Sequence, residues 1–105
     1  MSSDPLPDPA ISAALGQLPG WSRQGEALVI TWRFPSFGAV IEFLADARPG
    51  IDQADHHPTW TNTYNRLAVR LSTHDAGDRI TTKDVELAKT LSWLAGHHGA
   101  EPLIA

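Results

Sequence analysis

At 105 residues the chain has the size of a single domain with one modest core. Eight Lys and Arg against twelve Asp and Glu give a net charge of −4, the wrong sign for a protein whose affinity comes from neutralising phosphates, so nucleic acid is not an expected ligand. The absence of cysteine removes disulfides and thiolate metal sites, and no apolar run approaches the ~18 residues of a membrane span.

The opening MSSDPLPDPA has acids and prolines where a secretory signal needs basic residues and then an apolar run. Residues 1–8 are therefore expected to be a disordered lead-in to one domain over 9–105, working in the cytoplasm. From Pro9, the spacing of Ile11, Leu15 and Leu18 predicts a short helix stopped by Pro19-Gly20. Trp21 to Gln24 and Ala27 to Phe34 flank a turn at Gly25. In the second segment Leu28, Ile30, Trp32 and Phe34 alternate with Val29, Thr31 and Arg33, which predicts a hairpin with one buried face.

Ser36 is placed to cap a second helix carrying Phe37, Val40, Ile41 and Leu44 on one stripe. Pro49-Gly50 interrupts it, and either a kink or a break and restart fits. Thr59 to Tyr64 and Leu67 to Thr73 predict a second strand pair turning at Asn65-Arg66, with Leu67, Val69 and Leu71 inward. After a polar loop, Thr81 with Asp84 three residues on resembles a capping box. The last helix then has Leu87, Ala88, Leu91, Leu94 and Ala95 on one stripe and Gly96 as its stop. The order is αββαββα, an α+β single domain with a four-stranded antiparallel sheet and helices packed on one face.

The stretch DHHPTW concentrates the unusual chemistry. Pro58 biases His57 to extended geometry, so the preceding helix should end at His56 or His57, where unpaired carbonyls favour a cation. Capping of those carbonyls and proton donation near neutral pH both fit that placement. A shared metal fits poorly, because neighbouring side chains diverge by about 100° on a helix, although a composite site with Asp52 and His74 can be drawn. His97-His98 lies beyond the Gly96 stop, where solvated surface is expected.

Asp52, then His56-His57-Pro58, Tyr64, His74 and Asp84 stand at spacings, within DHHPTWTNTYN, LSTHD and DVELA and with GWS upstream, that resemble the signature of the pterin-4a-carbinolamine dehydratase family. The resemblance covers about Leu15 to Ala95. It implies an αββαββα fold and dehydration of 4a-hydroxytetrahydropterin to quinonoid dihydropterin without metal or redox cofactor. That step recycles the tetrahydropterin of aromatic amino-acid hydroxylases, a functional link to such an enzyme.

By the same resemblance His56 and His74 transfer protons and His57 chiefly binds and orients the small-molecule pterin. Asp52 and Asp84 orient or polarise those rings. Pro58 and Thr73, His74 and Asp75 line the pterin's edge, and Trp21 and Trp60 wall the pocket. The family also implies a homodimer through a sheet edge or a homotetramer through helices. The competing expectation is a catalytically weak pterin-fold domain acting as a dimerising or regulatory partner. Family helices run unbroken into the His-His-Pro turn, so the Pro49-Gly50 interruption would put the position of Asp52 in question.

Overall fold

The computed structural model describes residues 4–103. In chain order the elements are helix α1 (Asp8–Leu15), strands β1 (Ser22–Gln24) and β2 (Ala27–Arg33), helix α2 (Phe37–Ala54), strands β3 (Thr59–Thr63) and β4 (Arg66–Leu71), helix α3 (Thr82–His97) and a short strand β5 (Glu101–Pro102). Strands β2 and β4 form the antiparallel centre, with Leu28 opposite Leu71 and Trp32 opposite Leu67. Strand β3 pairs with the free side of β4, and β1 and β5 share the other side of β2.

Alternation decides the faces. Leu28, Ile30, Trp32, Leu67, Val69 and Leu71 are all buried beneath α2 and α3, while Arg33, Arg66 and Arg70 are exposed on the other face. The α+β order read from periodicity is the observed one. Trp32 is the hub, meeting Trp21 edge-on at 5.8 Å and Phe43 at 5.6 Å.

Helix α2 does not break at Pro49-Gly50. It starts at Ser36, whose hydroxyl accepts from the Ala39 amide, and runs as one helix to Ala54. A proline inside a helix costs about 3 kcal/mol. Ala45, Arg48, Pro49 and Gly50 all face solvent, so water can take the carbonyl that Pro49 cannot satisfy. Phe43, Ala47 and Ile51 are buried on either side of it. Each large side chain so buried contributes roughly 1.5–3 kcal/mol, enough together to hold the helix in line.

Other expectations also shift. The second hairpin turns at Tyr64-Asn65, one residue early, because Thr63 pairs with Arg66 and Tyr64 takes the left-handed conformation at φ 52°. Helix α3 passes through Gly96 and stops at Gly99. There a left-handed φ of 77° lets the Ala100 amide reach back to the Ala95 carbonyl. The chain then adds β5, the fifth strand that the four-stranded expectation lacked. The expected lead-in lies partly outside the described residues; within them, the Leu6 amide donates to the Ile80 carbonyl and α1 already begins at Asp8. No helix among the described residues is long and apolar enough to cross a membrane.

His98 is not solvated tail. Half-buried, it bonds the Asp46 carboxylate through Nε2 at 2.7 Å and lies edge-on to Phe43, tying the end of α3 to α2. A Cβ on Gly99 would sit 2.8 Å from Pro35 Cγ, in a left-handed conformation that side chains disfavour. Gly99→Ala is expected to lower stability by about 1–3 kcal/mol, read by thermal or urea unfolding.

Candidate active site

The end of α2 sets the first half of the site. Asp55 adopts a left-handed φ of 49°, its amide reaching the Asp52 carbonyl and the His56 amide reaching that of Ile51 at 3.4 Å. This closes the helix at Ala54, before the histidines, and gives the Ile51 and Asp52 carbonyls backbone partners in place of the rings. Both rings bond carboxylates instead. His56 turns inward and is buried, whereas His57, next to Pro58, turns outward.

The second half comes from the start of α3. Thr81 and Asp84 form the expected capping box, but Asp84 is wholly buried and does more than cap. Its Oδ2 accepts from the Thr81 amide at 2.8 Å and from the Thr73 hydroxyl at 2.8 Å. Its Oδ1 lies 2.7 Å from His56 Nε2.

A carboxylate only accepts, so His56 must present Nε2–H to it. Thr73, having spent its proton on Asp84, accepts in turn from the Thr81 hydroxyl at 2.7 Å, and Thr81 Oγ1 accepts from the Lys83 amide. No buried side-chain nitrogen or oxygen among the described residues lacks a partner. His56 Nδ1 has no hydrogen bond among them, and is the ring atom left for other chemistry.

Asp84 thus joins the His56 side chain to that of Thr73, the neighbour of His74. His57 is 59% exposed and its Nε2 lies 3.3 Å from Asp52 Oδ1; Asp52 Oδ2 accepts from Arg48 Nε at 3.2 Å. Asp52 is therefore not displaced from the histidine turn by Pro49. The hydrogen bond from His57, with Arg48 adding, holds its carboxyl below the usual range. That contribution to stability is present above the ordinary carboxylate value and lost as pH falls through the lowered one.

His74 opens a one-turn 3-10 segment (His74–Ala76) and is 91% exposed. Gly77 and Asp78, both left-handed, fold the loop back so that Asp78 Oδ1 meets His74 Nδ1 at 3.0 Å. This hydrogen bond and the Asp78 charge, with Asp75 adding, raise the imidazole above its ordinary range.

Of the other expected residues, Pro58 is half-buried and Asp75 exposed. Trp60 is half-buried and packs edge-on to Phe43 at 6.4 Å. Trp21 is not gathered at Asp84. Its Nε1 donates to Ser92 Oγ at 2.7 Å, a residue about 12 Å further along α3 at 1.5 Å per residue.

Beside His56, Gly50 and Ala54 of α2 and Lys83, Leu87 and Thr90 of α3 enclose a cleft of about 340 Å³. A larger hollow of about 730 Å³ lies over the exposed sheet face at Val29, Thr31, Thr61 and Arg70, and no histidine lines it. No group of three or more His, Asp or Glu among the described residues could hold a metal ion. Sequence reasoning missed Thr81 as more than a cap, and Asp78 and Arg48 as partners of His74 and Asp52. The i to i+4 spacings of Asp78 from His74 and of Asp52 from Arg48 were the available signal.

Residues 4–94 match the family model described as Pterin 4 alpha carbinolamine dehydratase. A protein of Opitutus terrae, provisionally named pterin-4-alpha-carbinolamine dehydratase, is 45% identical over 80% of this chain and 90% of its own. One of Afipia carboxidovorans with the same provisional name is 43% identical over 91% of this chain and 97% of its own. The crystal structure of a Brucella melitensis protein described as a transcriptional coactivator/pterin dehydratase superposes with a TM-score of 0.84 at 33% identity, over 89% of this chain and 100% of that one.

Two outcomes are expected of the site itself. In Asp84→Asn, the two donors on Oδ2 will claim the amide oxygen and turn the NH₂ toward His56. Nε2 must then accept and the ring move to its Nδ1–H form, visible in its ¹⁵N chemical shifts; an unchanged tautomer would contradict the network. In Asp78→Asn, the His74 midpoint should fall back toward the ordinary ~6.5 in an NMR titration. Because the raised value favours the fold only below that range and the benefit fades as pH rises through it, wild type and variant should converge in stability at alkaline pH.

Proposed function

The chain belongs to the pterin 4 alpha carbinolamine dehydratase family and is a hydro-lyase, and we propose that it dehydrates 4a-hydroxytetrahydropterin with His56 taking a proton from the substrate and His74 giving one to it. The observation that carries this is the 2.7 Å contact from buried Asp84 to His56, which draws the two histidine segments of the signature to one carboxylate. With Nε2–H given to Asp84, His56 offers the Nδ1 lone pair as a base, and Asp84 stabilises the imidazolium that results. His74, whose protonated form is favoured by the Asp78 hydrogen bond, suits the acid.

The electrons balance without an oxidant. Nδ1 of His56 takes the N5 proton, the freed pair forms the C4a=N5 bond, and the C4a–O bond breaks as His74 gives its proton to the departing hydroxyl. Water leaves, and solvent resets both rings. His57, positioned by Asp52, holds and orients the ring, with Pro58, Thr73 and Asp75 along its edge and Trp60 behind. Trp21, whose ring nitrogen donates to Ser92 further along α3, takes no part in this step.

The product is quinonoid dihydropterin, so the reading extends to recycling the cofactor of an aromatic amino-acid hydroxylase in the cytoplasm. A homodimer through the outer edge of β3, or a homotetramer through α2, belongs to the same reading. The outer side of β3 is unpaired among the described residues, and Thr59–Thr63 carries no charge or proline to blunt it. Phe37 and Ile41 are exposed one turn apart on α2. Sedimentation velocity decides between these assemblies and a monomer.

The direct test is dehydration of freshly made 4a-hydroxytetrahydropterin. His74→Ala is expected to lower turnover by ~10²-fold or more with the fold intact, since that ring is in solvent. His56→Ala should be as slow and also less stable by roughly 1.5–3 kcal/mol, because it removes one of the three donors on a buried carboxylate. A wild-type rate no faster than the spontaneous reaction would leave a dimerising or regulatory partner as the function.

A further inference from the structure

Pro49-Gly50 is left unexplained by fold and reaction alike. Both residues disfavour a helix interior, yet both sit inside α2, and Gly50 forms one wall of the cleft that His56 also lines. A Cβ built on Gly50 meets nothing within 4 Å, so no neighbouring backbone or side chain requires a glycine there. What a side chain at that position would occupy is the cleft.

We propose that this cleft between α2 and α3 receives the substituent at C6 of the pterin and sets which pterins bind; the inference rests on the dehydratase reading for the identity of the ring. The connectivity of the substrate supports it. Proton removal takes place at N5, and C6 is bonded to N5, so a ring whose N5 meets His56 carries its C6 substituent into the space next to that imidazole. That space has an apolar floor from Ala54 and Leu87, with Leu87 buried, and hydroxyl and charged groups from Thr90, Lys83 and Glu86 around it. A short chain bearing hydroxyl groups matches such a lining: carbons against Ala54 and Leu87, hydroxyls toward Thr90 and Lys83. The larger hollow over the sheet lacks any histidine and gives N5 no base.

The test compares binding of two unreactive oxidised pterins, one with a 6-methyl group and one with a 6-dihydroxypropyl chain, by calorimetry on the whole chain. Wild type is expected to hold the longer substituent ~10-fold or more tighter, the scale on which a pocket senses added groups. Gly50→Leu fills the cleft from α2 and Thr90→Leu from α3, and each should collapse that ratio toward one. Gly50→Ala, which improves helix propensity with little bulk, should keep most of it. Equal affinities in wild type, or a ratio untouched by both leucine variants, would overturn the proposal. Turnover is assayed separately: selective binding without dehydration would sink the dehydratase reading and spare the cleft, and dehydration without selectivity would do the reverse.

Discussion

A carboxylate with no access to water organises this protein. Burying Asp84 costs several kcal/mol unless it is hydrogen-bonded, and here a backbone amide, a threonine hydroxyl and an imidazole converge on it. Those donors come from the start of α3, the segment just past β4 and the turn after α2. One residue thereby couples helix initiation to the relative placement of segments far apart in the chain. The usual net gain from a helix cap is about 1 kcal/mol. Here the same side chain also fixes the tautomer of a ring 28 residues away.

The two halves of the site differ in stiffness for this reason. His56 is clamped, with one nitrogen committed and the other available. His57 and His74 are in solvent, each steered by one exposed carboxylate whose pull is modest and screened by salt. A buried, bonded ring beside exposed ones fits the proposed reaction, in which a small substrate must enter and leave.

Local patterns in the sequence were enough to place most elements. Alternation in Leu28–Phe34 and Leu67–Leu71 found the inner face of the sheet, and the capping box found the start of α3, because each depends on residues a few positions apart. Contacts set by the whole fold were not legible in that way. Thr81 and Asp84 announce a cap, but nothing within a few residues of them says that Asp84 also meets His56. Pro49 reads as a break until Phe43, Ala47 and Ile51 are seen buried together. The fate of His98 depends on Asp46, across the molecule, and the tail became a strand because Gly99, not Gly96, turns the chain.

Adjacent histidines invite the thought that one is a spare. The left-handed Asp55 and the Pro58 that follows bracket two side chains of opposite exposure, so each ring has its own address. Slipping the chain by a single position there would deliver the outer histidine to the inner slot and leave nothing polar outside. The doublet is in this sense a two-letter word whose spelling is guarded by the residues on either side.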